Sequence, residues 1–301
     1  MEFLGYEEGS SIYLGFLDES TATPFHTLSW LRFVKSILSN SRIRFLVWHE
    51  GGYPSGVLPL VERKLWGART AFSLPFDAPG GPLGSPPAGD WHSVFDGYWH
   101  VRICDPGGVL RTPWETVFVP VHIIDLARFN PSRSQARAAR QAEKRGLVVE
   151  ELEGFSDELH VLYMRVKSQK GGLTFGRRAF RNLFTEMASH IFGFVGRYER
   201  EPVAFILNFI HGRRAVSYLH GFDRRFALLR PMSALIIRSI ESARERGCSE
   251  FSLGSTTPGD PGLAAFKESF GAIVRPMRVH IKRGRLFRLA ERARRPFRRS
   301  L

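Results

Sequence analysis

Apolar residues recur at Leu28, Leu31, Phe33, Val34 and Leu38 within "FHTLSWLRFVKSIL" (25–38), a spacing that predicts an amphipathic helix. The period then shortens. "IRFLVWHE" (43–50), "VLPLVERKL" (57–65) and "RTAFSLPF" (69–76) are separated by Gly/Pro/Ser turns and predict an antiparallel meander. "APGGPLGSPPAGD" (78–90) is too rich in Pro and Gly for a strand, and two further strands follow in "HVRICDPGG" and "ETVFVPVHIIDL". "SRSQARAARQAEKRG" (132–146) predicts a helix capped by Ser132 or Ser134 and stopped by Gly146. After it the plan repeats. A strand "LVVEEL", two helices and a second meander ("FGFVGRYE", "EPVAFILNFIHG", "RRAVSYLHGF") lead to a helix over 230–247 that opens at Pro231. A strand "SEFSLGS" (249–255), a short helix "GLAAFKESFGA" and a last strand "RPMRVHIK" close the pattern.

A strand–helix plan that occurs once in each half predicts two similar α/β domains. The expected division is an N-terminal domain over 1–130, a connecting helix over 131–146, a C-terminal domain over 147–282 and a tail over 283–301. Charge changes the picture in two places. Of a net +14, residues 282–301 hold nine Lys/Arg against one acid, and residues 128–145 hold six against one. Arg133, Arg137, Arg140 and Lys144 fall on one face of the predicted helix, which suits phosphate or nucleic acid. The tail interleaves Leu and Phe with arginines, a composition for an anionic membrane surface or an RNA segment.

Two cysteines provide neither a disulfide framework nor metal-ligand spacing, and no apolar run is long enough to span a bilayer. The N-terminus lacks a signal-peptide layout. The expectation is a cytoplasmic chain, associated at most with the inner face of a membrane. There is no P-loop, GxGxxG, HExxH, CxxC or nucleophile elbow, so no metal site and no tightly bound cofactor are expected. What stands out is Lys267. At about 100° per residue it borders the apolar face set by Leu263, Phe266 and Phe270. The start of the Pro231 helix presents a positive dipole end to whatever lies beside the strand ending in "YLHGFD".

The series "AVSYLHGFD…RPMSALIIRSIESARERGCSEFSLGSTTPGDPGLAAFKESFGA" resembles the C-terminal half of the FemAB-like acyltransferases of the GNAT superfamily. The stretch "GVLPLVERKLWGARTAFSLPFDAPGGPLG" is similar to their N-terminal domain, and "VAFILNFIHGRRAVSYLHGF" to their central hairpin. The resemblance implies an α/β (α+β) fold of two tandem GNAT-like domains, each a mostly antiparallel sheet flanked by helices. It also implies direct acyl or aminoacyl transfer, and the acceptor would be a small-molecule or lipid-linked envelope precursor, an amino sugar, peptidoglycan or polysaccharide unit. Two donors stay open, acyl-coenzyme A and aminoacyl-tRNA, the tRNA being the less favoured. Lys267 matches the family's "FK" lysine and would stabilise the tetrahedral oxyanion. Phe266 would pack against the donor, Arg224, Arg225 and Arg230 would meet its phosphates, and Ser233, Gly254 and Ser255 would complete its site. His220 and Asp223, at a strand end, are candidates for the base. Tyr218, Asp77, Gly80 and Gly81 are candidates for the acceptor side. The alternative is a non-catalytic basic adaptor that binds RNA or anionic membrane through 128–145 and 283–301.

Overall fold

The computed structural model describes residues 1–18, 21–38, 40–65, 67–76, 78–170, 174–256 and 259–284. The chain forms two units, Met1–Val119 with Pro276 onward, and Pro120–Arg275. This division differs from the expected one. The boundary lies before residue 130, the basic helix belongs to the second unit, and the last strand returns to the first. The tail from 285 lies outside the described residues.

The first unit opens with β1 (Glu2–Gly5) and α1 (Tyr6–Leu14), followed by α2 (Leu28–Ile37), β2 (Ser41–Glu50), β3 (Tyr53–Leu65) and β4 (Ala68–Phe72). Then come β5 (Leu83–Gly84), β6 (His100–Asp105) and the start of β7 (Glu115–Asp125). The apolar stripe read in 25–38 forms α2. Thr27 caps it by accepting from the Trp30 N–H at 3.2 Å, and Trp30, Leu31, Phe33 and Val34 are buried. β1 and α1 carry no periodic signal. β1 is held by pairing with β2 and by Phe3 packed edge-on to Phe95, and Gly9 sits in α1 because a Cβ there would stand 2.5 Å from the Phe45 ring. The core collects Leu46, Leu58, Leu60, Phe95, Val101 and Ile103.

The second unit continues with α3 (Arg133–Lys144), β8 (Val148–Glu151), α4 (Asp157–Lys170), α5 (Arg177–Glu186), β9 (Ile191–Tyr198), β10 (Glu201–His211) and β11 (Arg214–Phe222). It ends with α6 (Pro231–Glu245), β12 (Glu250–Ser255), α7 (Pro261–Glu268) and the start of β13 (Ile273–Arg283). Its strands run β7-β12-β11-β10-β9-β8, antiparallel except for the β11/β12 pair. The first unit has a matching plan, antiparallel except where β4 pairs β6. Alternation along β10 sends Ala204 and Ile206 into the core shared with α6, while Phe205 meets Tyr163 of α4 edge-on at 6.1 Å. The fold class is the expected one, two α/β units on mostly antiparallel sheets flanked by helices. Cys104 and Cys248 are both buried thiols, and no helix among the described residues is long and apolar enough to cross a membrane.

Candidate active site

Parallel strands β11 and β12 share three residue pairs, the last being Val216 with Ser252. β11 runs on to Phe222 without β12 beside it, so the two strands part at this point. On β12 the antiparallel register to β7 also breaks between Ser252 and Ser255, which inserts a bulge. Gly254 occupies the bulge with φ +74, a left-handed conformation that glycine adopts at little cost. It lies against β11: a Cβ at Gly254 would stand 3.9 Å from the Ser217 carbonyl oxygen.

The bulge turns two consecutive carbonyls toward α7. Asp260 caps that helix by accepting from the Leu263 N–H at 2.9 Å, Pro261 occupies its first turn, and Gly271 (φ +83) follows it. Lys267 is 6% exposed, and its Nζ donates to Ser255 O at 2.7 Å and Gly254 O at 3.2 Å. Burial pushes its ammonium down to about 8, and the nearby Asp260 only partly opposes this. The helical projection placed Lys267 at the edge of the packed surface; the structure buries it, because the bulged backbone supplies acceptors for a charge that could not otherwise leave water. Phe266 packs edge-on to Phe270 at 5.1 Å.

The other expected residues divide. His220 Nδ1 lies 3.0 Å from Ser217 Oγ, on the side of β11 that the register break opposite Leu207/Asn208 gives to both. Tyr218 stacks on Phe209 at 4.8 Å. A series therefore runs from His220 through Ser217 and Gly254 to Lys267. Asp223 does not join it. Its carboxylate is fully buried and accepts from Arg225, Arg165 and Gln169, and these bonds outweigh burial and hold its pKa well below the usual carboxylate range. A carboxylate so engaged anchors α4 to the end of β11 and is a poor base. Arg225 is committed to Asp223 and Glu201, whereas Arg224 and Arg230 are exposed and have no ion-pair partner among the described residues. Arg230 caps α6 with φ +52. Ser233 is 2% exposed and donates to Gln135 Oε1 at 2.7 Å, while Gln135 Nε2 donates to Ser269 Oγ at 2.9 Å. Ser233 thus ties α3, α6 and the end of α7 together through Gln135.

On the acceptor side, Gly80 and Gly81 are buried packing elements of the first unit. A Cβ would stand 2.1 Å from Leu74 at Gly80 and 2.7 Å from the Cys104 carbonyl at Gly81, and the Gly81 N–H donates to His26 Nε2 at 3.1 Å. The "PGGP" loop is therefore pinned by His26 rather than open to an acceptor. Asp77 lies outside the described residues. Among those residues no group of three His, Cys, Asp or Glu side chains could hold a metal ion.

Two polar residues near Lys267 had gone unnoticed, His122 of β7 and Thr256 just beyond β12; they are 1% and 3% exposed. The signal for His122 was strand alternation, which puts it on the face of Ile124 and Leu126, a polar ring in an apolar row.

A family profile described as an acetyltransferase (GNAT) domain matches residues 131–268. No curated protein sequence matches the chain significantly. Among solved structures the fold is similar to that of FemX, with a TM-score of 0.63 at 14% identity over 96% of this chain and 99% of that one. It is also similar to the C-terminal domain of a putative lysylphosphatidylglycerol synthetase from Agrobacterium fabrum, at 0.61 and 14% over 94% and 93%. A tandem GNAT protein from the clavulanic acid biosynthesis pathway aligns at 0.57 and 12% over 93% and 98%.

Proposed function

Because this chain carries an acetyltransferase (GNAT) domain at residues 131–268 within a FemX-like fold, we propose that it transfers an acyl or aminoacyl group directly to the amine of a cell-envelope precursor. Candidate acceptors are an amino sugar, a peptidoglycan unit or a polysaccharide unit. The observation that carries this reading is the buried Lys267 ammonium, held by the Gly254 and Ser255 carbonyls where β11 and β12 part. Two of its three N–H groups are engaged, and the third is available to an oxygen that gains negative charge as the amine adds to the acyl carbon. A fixed donor in a shielded site stabilises that oxyanion far better than water does. The acyl donor is consumed as a substrate, and Arg224 and Arg230 are placed to meet its phosphates. FemX and the lysylphosphatidylglycerol synthetase support the aminoacyl and lipid-linked versions by analogy of fold.

The test measures transfer to D-glucosamine from acetyl-coenzyme A and from aminoacyl-tRNA, together with mass spectrometry of small molecules retained by the purified protein. Lys267→Ala is expected to fold and to lose transfer by a factor of ~100 or more; unimpaired turnover would refute the reading. A second reading, a basic adaptor at an anionic membrane or RNA, draws on one observation. Arg133, Arg137, Arg140 and Lys144 are all exposed on α3, without ion-pair partners among the described residues. Binding to anionic vesicles or RNA that falls steeply with salt, with no transfer from either donor, would favour it.

A further inference from the structure

His122 is 1% exposed, yet among the described residues neither ring nitrogen has a hydrogen-bond partner, and the hydroxyl of Thr256, 3% exposed, has none either. Such groups are rare, because each forfeits its bonds to water and receives nothing in return. Here they are neighbours. Val121 of β7 is paired with Ser255, the Thr256 N–H donates to the Pro120 carbonyl at 3.1 Å, and His122 faces the bulge whose two carbonyls hold Lys267. The side chains left with unused capacity around that bulge are thus one Lys267 N–H, both nitrogens of one imidazole and one hydroxyl.

We propose that His122, assisted by Thr256, is the general base that works with Lys267 in acyl transfer. This rests on the acyl-transfer reading above. The acceptor nitrogen bonds to the acyl carbon, and its proton passes to the free ring nitrogen of His122. The carbonyl oxygen bears the negative charge against Lys267 until the carbon–donor bond breaks. The leaving sulfur or oxygen takes a proton from the Lys267 ammonium, and the imidazolium proton then restores Lys267, so protons balance over the cycle.

The electrostatics agree with these roles. The charged groups that face His122 are Lys267 and Glu268 of α7; burial and the Lys267 charge push its pKa below the ordinary imidazole value, with Glu268 in opposition, so the ring is neutral and can accept a proton at pH 7. On β12, Glu250 is engaged by Arg214 and Arg275. Burial lowers the pKa of both groups, and near pH 7 this leaves a neutral imidazole able to take a proton beside an ammonium that still carries one. His220, already bonded to Ser217, is displaced as the leading candidate.

The test uses the full chain with whichever donor shows Lys267-dependent transfer to D-glucosamine. His122→Gln is expected to lower kcat by ~100-fold or more, leave the donor KM unchanged and remove the acid limb of the kcat profile; Thr256→Val should give a smaller loss. Wild-type kcat and an unaltered pH profile in His122→Gln, with Lys267→Ala inactive, would overturn this proposal alone. Full turnover in Lys267→Ala would instead bring down the reading beneath it. A second measurement needs no substrate and no folded His122 variant. In histidine-labelled protein the His122 ring should be neutral at pH 7, and its titration midpoint should rise in Lys267→Met. A ring already protonated at pH 7, or a midpoint unmoved in Lys267→Met, would equally overturn the assignment.

Discussion

Lys267→Met separates the electrostatic cost of the site from its use. Burial takes the Lys267 ammonium from the ordinary 10.5 to about 8, and at ~1.36 kcal/mol per pH unit this amounts to about 3 kcal/mol. The sign follows from proton counts. Between pH 8 and 10.5 the unfolded chain holds a proton on Lys267 that the folded chain has released, so stability rises with pH across this window. Below pH 8 both states are protonated and the fold carries the whole penalty. Met fills a similar volume without a charge, and subtracting its denaturation curves from those of the wild type cancels the groups that titrate between pH 7 and 10 away from Lys267. The difference in unfolding free energy, measured by urea denaturation with tryptophan fluorescence, should move in favour of the wild type by about 2.5 kcal/mol from pH 7 to pH 10. A difference that stays flat would mean that Lys267 is solvated, and the oxyanion argument would fall with it.

Asp223→Asn should destabilise the second unit by about 2 kcal/mol, because Arg165 and Arg225 then face a neutral, partly mismatched amide. Since the native carboxyl is more acidic than the unfolded one, its contribution is present above pH ~4 and lost as pH falls below that, so the unfolding free energy of the variant should fall less steeply below pH ~4 than that of the wild type. Gln135→Leu removes the two bonds that join Ser233 to Ser269 and leaves the buried Ser233 hydroxyl without its acceptor, while the half-buried Ser269 hydroxyl keeps its bond to the Phe266 carbonyl. A loss of about 2 kcal/mol in unfolding free energy is expected, with transfer lowered because α7 is no longer fixed.

The residues that local pattern could identify were those whose role is set by their own neighbours in the chain. Ser132 caps its helix and Pro231 opens its own where predicted, since a cap needs only a few adjacent positions. Roles set by partners far along the chain were hidden. Asp223 and His220 are both polar residues at one strand end, and spacing cannot tell them apart. Arg165, 58 positions earlier on α4, is what turns Asp223 into an anchor. Ser233 has the same history, bound by Gln135 from 98 positions away. The domain boundary was misplaced for a related reason: β7 and β13 each run past it, and alternation along a strand carries no mark of which sheet receives it.

Lys267 stood out because a charge beside Phe266 and Phe270 breaks an apolar stripe within one helix turn. His122 breaks its stripe as plainly, between Val121 and Ile123 and on the face of Ile124. A lone histidine in a strand is usually satisfied by a neighbouring strand or helix, however, and only the fold reveals that this one is not. A regular β12 would pair through Gly254, and its carbonyl would be spent on the ladder. With the ladder interrupted, the Gly254 and Ser255 carbonyls go to Lys267. The left-handed glycine therefore accounts for the buried ammonium that costs stability, and beside it lies a buried imidazole without a hydrogen-bond partner among the described residues. Both are disadvantages to the fold alone, and both suit a site where charge and a proton must be moved out of reach of water.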